Sequence, residues 1–130
     1  MIFEPIPEKL ELAGEQLVDS AFKVHQTLGP GLIESVYEEC LYYELRKRGL
    51  CIERQKEIPI RYDGRILSTH LKIDLLMEDG IVVELKAIDK MLPLFQAQLL
   101  TYLKLTGLRL GYLINFNVPL IKQGIKRIVL

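Results

Sequence analysis

Ile73-Asp74-Leu75-Leu76-Met77 and, after Glu78-Asp79-Gly80, the run Ile81-Val82-Val83-Glu84-Leu85-Lys86-Ala87 form the stretch whose reading decides the fold. Both halves are mostly apolar, and each bears charge at alternate positions, so they read as two strands of a hairpin with unlike faces. Register decides what those faces hold. With a two-residue loop, Asp79-Gly80, Asp74 would face Leu85 and Glu84 would face Leu75, mixing charge with apolar side chains. With the loop Glu78-Asp79-Gly80, and Gly80 in the left-handed position of a type I turn plus bulge, Asp74 falls opposite Glu84. Ile73, Leu75 and Met77 then pair with Leu85, Val83 and Ile81 on one apolar face, while Lys72, Asp74, Glu84 and Lys86 gather on the other. This second register is the expected one.

Burying an uncompensated ion costs on the order of several kcal/mol, so a hairpin that half-buries Asp74, Glu84 and Lys86 needs a compensating partner. A divalent metal ion is the simplest candidate. A Glu-X-Lys triplet alone is more often a surface salt bridge; the register of Asp74 and the distant motifs around Glu34 and Gln98 raise this one above that reading.

The 130 residues, 49% hydrophobic and 26% charged, suit one globular domain spanning 1–130 and not a disordered or fibrous chain. Seventeen basic residues balance seventeen acidic ones, so the broad basic footprint of a strong nonspecific nucleic-acid binder is missing. Local basic groups stand at Arg46-Lys47-Arg48, at Arg54 and Lys56, at Arg61 and Arg65, and at Lys122, Lys126 and Arg127. Cys40 and Cys51 have no ligand-like spacing, which argues against zinc or an iron–sulfur cluster and reads as buried thiols. With no signal-peptide core and no apolar run long enough to span a bilayer, the expectation is a soluble cytoplasmic protein.

Apolar residues recur at helical spacing from about Glu8 to Leu28, where Gly29-Pro30-Gly31 ends the element, and again from about Glu34 to Arg48, where Gly49 ends it. Strands are expected from about Cys51 to Tyr62 and from Ile66 to Leu71, then the charged hairpin. Pro93 opens a third helix through Leu105, Leu110 to Phe116 is a short strand, and Ile125 to Leu130 is a last one.

Gly31-Leu32-Ile33-Glu34-Ser35-Val36-Tyr37 resembles the signature of the GxxExxY proteins. The resemblance continues through Asp74, Glu84-Leu85-Lys86, Gln98-Leu99-Leu100-Thr101-Tyr102 and Leu113-Ile114-Asn115-Phe116, covering most of the chain from about His25. Those proteins are assigned to the PD-(D/E)XK nuclease superfamily. The resemblance implies an α/β, restriction-endonuclease-like core: a mixed central sheet flanked by helices in the order α-β-β-β-α-β, here with an extra N-terminal helix. It also implies a metal-dependent phosphodiesterase site at Asp74, Glu84 and Lys86, assisted by Glu34 and, as in RecB-like nucleases, by Gln98 and Tyr102. The name-giving proline is absent, since Ile73 precedes Asp74.

The residue types fit that chemistry. Mg2+, for which Mn2+ substitutes, takes hard oxygen ligands, here the Asp74 and Glu84 carboxylates and a backbone carbonyl, with Glu34 reaching the metal shell from the helix side through water. Lys86 lies two residues from Glu84 on the same strand face and is placed to position a water or neutralise transition-state charge. Gln98 and Tyr102, at i and i+4, share a helix face. Lys72 is a phosphate contact or an ion-pair partner of Asp74 or Glu84. Gly31 reads as a backbone device, Tyr37 as a core residue with its hydroxyl bonded, His70 as a solvated edge residue and His25 as structural. The expected function is a Mg2+-dependent nuclease acting on DNA. A nuclease for RNA or branched DNA and a silent nuclease-fold binding or assembly module stand as the alternatives. So compact a chain, with almost no wing to wrap a duplex, is expected to dimerise or to work with a partner protein.

Overall fold

The computed structural model describes residues 4–130. Two helices lead, α1 (Glu8–Leu28) and α2 (Glu34–Lys47), followed by strands β1 (Ile52–Tyr62), β2 (Arg65–Met77) and β3 (Ile81–Lys86), helix α3 (Pro93–Thr106), strand β4 (Leu110–Asn115), a short 3-10 turn (Ile121–Gly124) and strand β5 (Ile125–Val129). The strands form one mixed sheet in the order β1-β2-β3-β4-β5. Only β3 and β4 run parallel, as the α3 crossover between them requires. The expected α-β-β-β-α-β order is therefore present as α2 through β4, with α1 in front and β5 behind.

Each helix buries the stripe that its spacing provides. Ala13, Leu17, Ala21 and Val24 of α1 and Tyr37, Leu41 and Leu45 of α2 pack on one sheet face against Leu75, Met77, Ile81, Val83 and Leu85. Leu99 and Leu103 of α3 cover the other face, against Leu71, Ile73, Leu76, Val82 and Leu113. Pro93 starts α3, and Gly107 ends it in the left-handed region, at φ 75°. β3 and β4 are covered on both faces, so they read as unbroken apolar runs in which Glu84 and Asn115 stand out.

The three-residue loop is present, and β2 meets β3 in the expected register, Leu75 opposite Val83 and Met77 opposite Ile81. Its backbone differs from the expectation. Glu78 and Asp79, at φ 53° and 50°, take the left-handed positions instead of Gly80. The amide of Gly80 closes the turn onto the Met77 carbonyl at 2.9 Å. Gly80 instead lets α1 come close: a β-carbon there would lie 2.7 Å from Leu10 Cδ1, which would have to move aside.

Three further expectations change. Residues 66–71 and 73–77 are one continuous strand, with Lys72 inside it opposite Glu57. Ile73 does not join Leu75 and Met77: it packs in the α3 layer with Leu71, while Leu75 and Met77 pack in the layer of α1 and α2. The alternation of β2 thus switches faces at Asp74. Its partner strand switches at the same level, since Ile52 lies in the first layer and Ile58 in the second. Gln55 at that level has φ 50°, while Arg54 and Lys56 keep their register with Leu75 and Ile73, so the ribbon rolls over without inserting a residue. Beyond this point, Glu57–Tyr62 and Arg65–Lys72 pair only with each other, a two-stranded arm where a wingless body was expected. Cys51 is exposed and only Cys40 is half-buried, so the pair are not both buried thiols.

Candidate active site

The site grows out of the place where β2 leaves β3. The last backbone pair is Leu75 with Val83. One residue further, side chains take over the cross-strand bonds: the Asp74 amide donates to Glu84 Oε1 at 3.3 Å, and the Leu85 amide donates to Asp74 Oδ2 at 2.7 Å. Each acid thus caps the other strand's free N–H group, and this reciprocity gathers the two carboxylates. Glu84, on a central strand, is only 6% exposed.

Burial, then the nearby Asp74 charge, pushes the Glu84 carboxyl up to about 9, with Lys86 acting in the opposite direction. Without a cation, Glu84 therefore carries a proton near neutral pH. Lys86 makes no ion pair within 4.0 Å among the described residues; its ammonium lies 4.5 Å from the centroid of the Phe95 ring on α3. It is nevertheless close enough to lower the affinity of both Glu84 and Glu34 for a proton.

Glu34 is the exposed first residue of α2. Partial burial raises its pKa first, then the Asp74 carboxylate; Lys86 lowers it and Glu38 raises it again, so α2 brings Glu34 within electrostatic reach of the pair. The turn that aims it is held by Tyr37, whose hydroxyl donates to the Gly29 carbonyl at 2.6 Å and accepts from the Leu32 amide at 3.1 Å. The Tyr37 ring stacks on Phe116 with centroids 4.5 Å apart. Gly31, at φ 98°, lies in that turn ahead of the helix, where a residue without a β-carbon is favoured. Glycine and tyrosine of the signature therefore build the support from which Glu34 projects.

On the other side α3 supplies Tyr102, whose pKa is raised by burial and then by Glu84 and Asp74. Gln98, one turn earlier, is half-buried and makes no hydrogen bond among the described residues. Lys72 is exposed, faces Glu57 across the β1–β2 ladder and forms no ion pair there. His70 lies 3.4 Å from Glu57 on the exposed ribbon, and His25 is buried with its ring bonded to the Val118 carbonyl at 2.8 Å.

Four polar residues to which sequence reasoning assigned no role at the site complete its surroundings. Glu38, 6% exposed, accepts from Arg54 Nε and Nη2 at 3.2 and 3.1 Å and also from the Gln55 side chain. Gln55 in turn donates to Asp74 Oδ1 at 3.3 Å. Asn115, 3% exposed, receives the Ile88 and Asn117 amides on its oxygen and donates to the Ile88 carbonyl, bracing the chain just after Lys86. The available signals were a polar residue inside the apolar run of β4, and a glutamate one turn beyond Glu34 beside the inward Tyr37.

The donors at the pair are all oxygen, two carboxylates against one lysine, which suits a hard divalent cation. Glu84 Oε2 receives no hydrogen bond from the described residues. No three His, Cys, Asp or Glu side chains among the described residues are gathered closely enough to hold a metal ion, so Glu34 does not join Asp74 and Glu84 in one such group. Separate clefts lie around Cys51, Leu76 and Asp79 at the turn end of the hairpin and along α1. No helix of the described residues is long and apolar enough to cross a membrane.

Searches of curated proteins and of solved structures each returned no significant match. A family model described as the PD-(D/E)XK nuclease superfamily matches residues 11–128, a span that runs from within α1 into β5 and includes all the candidate site residues. On that match the chain belongs to the PD-(D/E)XK nuclease superfamily.

Proposed function

We propose that this protein is a Mg2+-dependent nuclease that hydrolyses phosphodiester bonds in DNA, with Mn2+ as a working substitute. The observation that carries the reading is the reciprocal capping of Asp74 and Glu84, which collects two carboxylates where β2 parts from β3, beside a lysine with no ion pair among the described residues. A purely structural ion pair would set a cation against each acid. Here the Lys86 ammonium lies over an aromatic ring instead.

Asp74 and Glu84 would hold the metal, with Glu34 reaching it through water from α2. Bound there, a divalent cation supplies an acidified water and a counter-charge for a phosphate oxygen. Lys86 presents its ammonium from over the Phe95 ring, where it would orient the attacking water and offset charge developing on the phosphate. Tyr102 and Gln98 line the α3 side as hydrogen-bonding contacts for the sugar–phosphate backbone, and Lys72 offers a cation at the root of the β1–β2 arm.

Melting curves with Mg2+, Mn2+ and Ca2+, paired with a panel of single-stranded, duplex and branched DNA and RNA, test the proposal. Stabilisation by all three ions with DNA cleavage in Mg2+ and Mn2+ alone is expected, because Ca2+ accepts looser coordination. Metal binding without cleavage of any substrate would favour a binding module, and cleavage of RNA alone would overturn the substrate class.

A further inference from the structure

Gln55 stands opposite Asp74 at the level where both β1 and β2 switch faces, and it is the only residue of β1 with a left-handed backbone, at φ 50°. In a regular strand, Gln55 would point away from the layer into which Arg54 projects. The left-handed turn instead brings both side chains to the same acid, Glu38 of α2. A glutamine gains nothing locally from a backbone that favours glycine or asparagine, so surrounding contacts must hold it there.

Those contacts are specific. The Gln55 Nε2 group has two hydrogens and two acceptors, Glu38 Oε1 and, at 3.3 Å, Asp74 Oδ1. Both neighbours are carboxylate oxygens, which fixes the amide orientation with nitrogen toward them. Glu38 is itself held by the Arg54 guanidinium, which packs 5.2 Å from the centroid of the Tyr42 ring. On its other oxygen, Asp74 receives the Leu85 amide at 2.7 Å. The Asp74 carboxylate is thus pinned at both oxygens, once by β3 and once by a relay from α2 through Gln55.

We infer that Gln55 is a positioning residue: through its side-chain amide, the buried Glu38, itself held by Arg54, sets the angle at which Asp74 meets its ligand. The inference rests on Asp74 being a metal ligand, and its test separates the two ideas. Glycine adopts the left-handed backbone without strain, so Gln55→Gly removes the amide while sparing the fold. Its melting temperature in chelator should stay close to that of the wild type, the relief of backbone strain offsetting the lost bond to Glu38. The Leu85 amide proton should move upfield as Asp74 loosens, and the dissociation constant for Mn2+ alone, followed by titration calorimetry, should rise about 10- to 100-fold, as for other residues that orient metal ligands. Gln55→Asn, which keeps the amide but is one methylene short, should resemble the glycine variant and not the wild type. Asp74→Asn fixes the scale for complete loss. Unchanged Leu85 shift and Mn2+ affinity in a folded Gln55→Gly protein would overturn the positioning role while leaving the metal reading standing. A wild type that binds no Mn2+ would overturn both.

Discussion

Removing the ionisable group at Glu84 should change how stability depends on pH in the metal-free protein. Burial and the Asp74 charge raise this carboxyl from 4.5 to about 9. The folded state then keeps a proton that the unfolded chain releases, so wild-type stability falls as pH rises through the window from 4.5 to 9 and is unaffected by this group below it. The slope for one such group is at most about 1.4 kcal/mol per pH unit. Between pH 5.5 and 7.5 that amounts to about 2 to 3 kcal/mol, or roughly 10 °C in melting temperature for a domain of this size. Glu84→Gln keeps the shape and the acceptor for the Asp74 amide but cannot ionise. Calorimetric melting of both proteins in chelator from pH 5 to 9 should give curves that meet at the acid end and separate steadily above it, the variant being the more stable. Parallel curves across that range would refute the claim that Glu84 is held protonated by its surroundings. Adding Mg2+ should narrow the gap, since the cation binds the ionised carboxylate and expels the proton.

Lys86→Ala should bind Mn2+ as tightly as the wild type yet lose about two to four orders of magnitude in cleavage rate, the range for a positioned acid–base or electrostatic group, checked by single-turnover kinetics beside calorimetry. Tyr37→Phe removes the hydroxyl that bonds the Gly29 carbonyl and the Leu32 amide, so it should lower stability by about 1 to 3 kcal/mol in urea titrations and weaken activity through Glu34. Asn115→Leu leaves the Ile88 and Asn117 amides and the Ile88 carbonyl without their partner, and should destabilise by at least about 2 kcal/mol and speed hydrogen exchange at Ile88.

The hairpin register was legible because a one-residue slip would have put charge among apolar partners, and the observed pairs of Leu75 with Val83 and Met77 with Ile81 follow from that rule. Periodicity likewise placed all three helices, with Pro93, Gly29 and Gly107 as punctuation. The same alternation misled at Ile73, because strict period two assumes a regular strand, and the ribbon rolls over where Gln55 is left-handed. No residue-type signal marks that roll, since glutamine there breaks the usual preference. Gly80 misled in another way, since its lack of a β-carbon serves the approach of Leu10 and not the turn angle. The acids, Lys86 and the signature stood out in the sequence as charges in apolar strands or as a spaced motif. Glu38, Arg54 and Gln55 looked like ordinary charged and polar surface, and only the packing of α2 against β1 joins them to Asp74.

The central claim is that Asp74 and Glu84 together form a metal-dependent cleavage centre. The most direct test follows nicking of supercoiled plasmid by the wild type and by Asp74→Asn and Glu84→Gln proteins, each shown by circular dichroism to be folded, in Mg2+ and in chelator. The account predicts that the wild type nicks in Mg2+ alone and that neither variant nicks in either buffer. Cleavage that persists in chelator, or that survives either substitution, would contradict it.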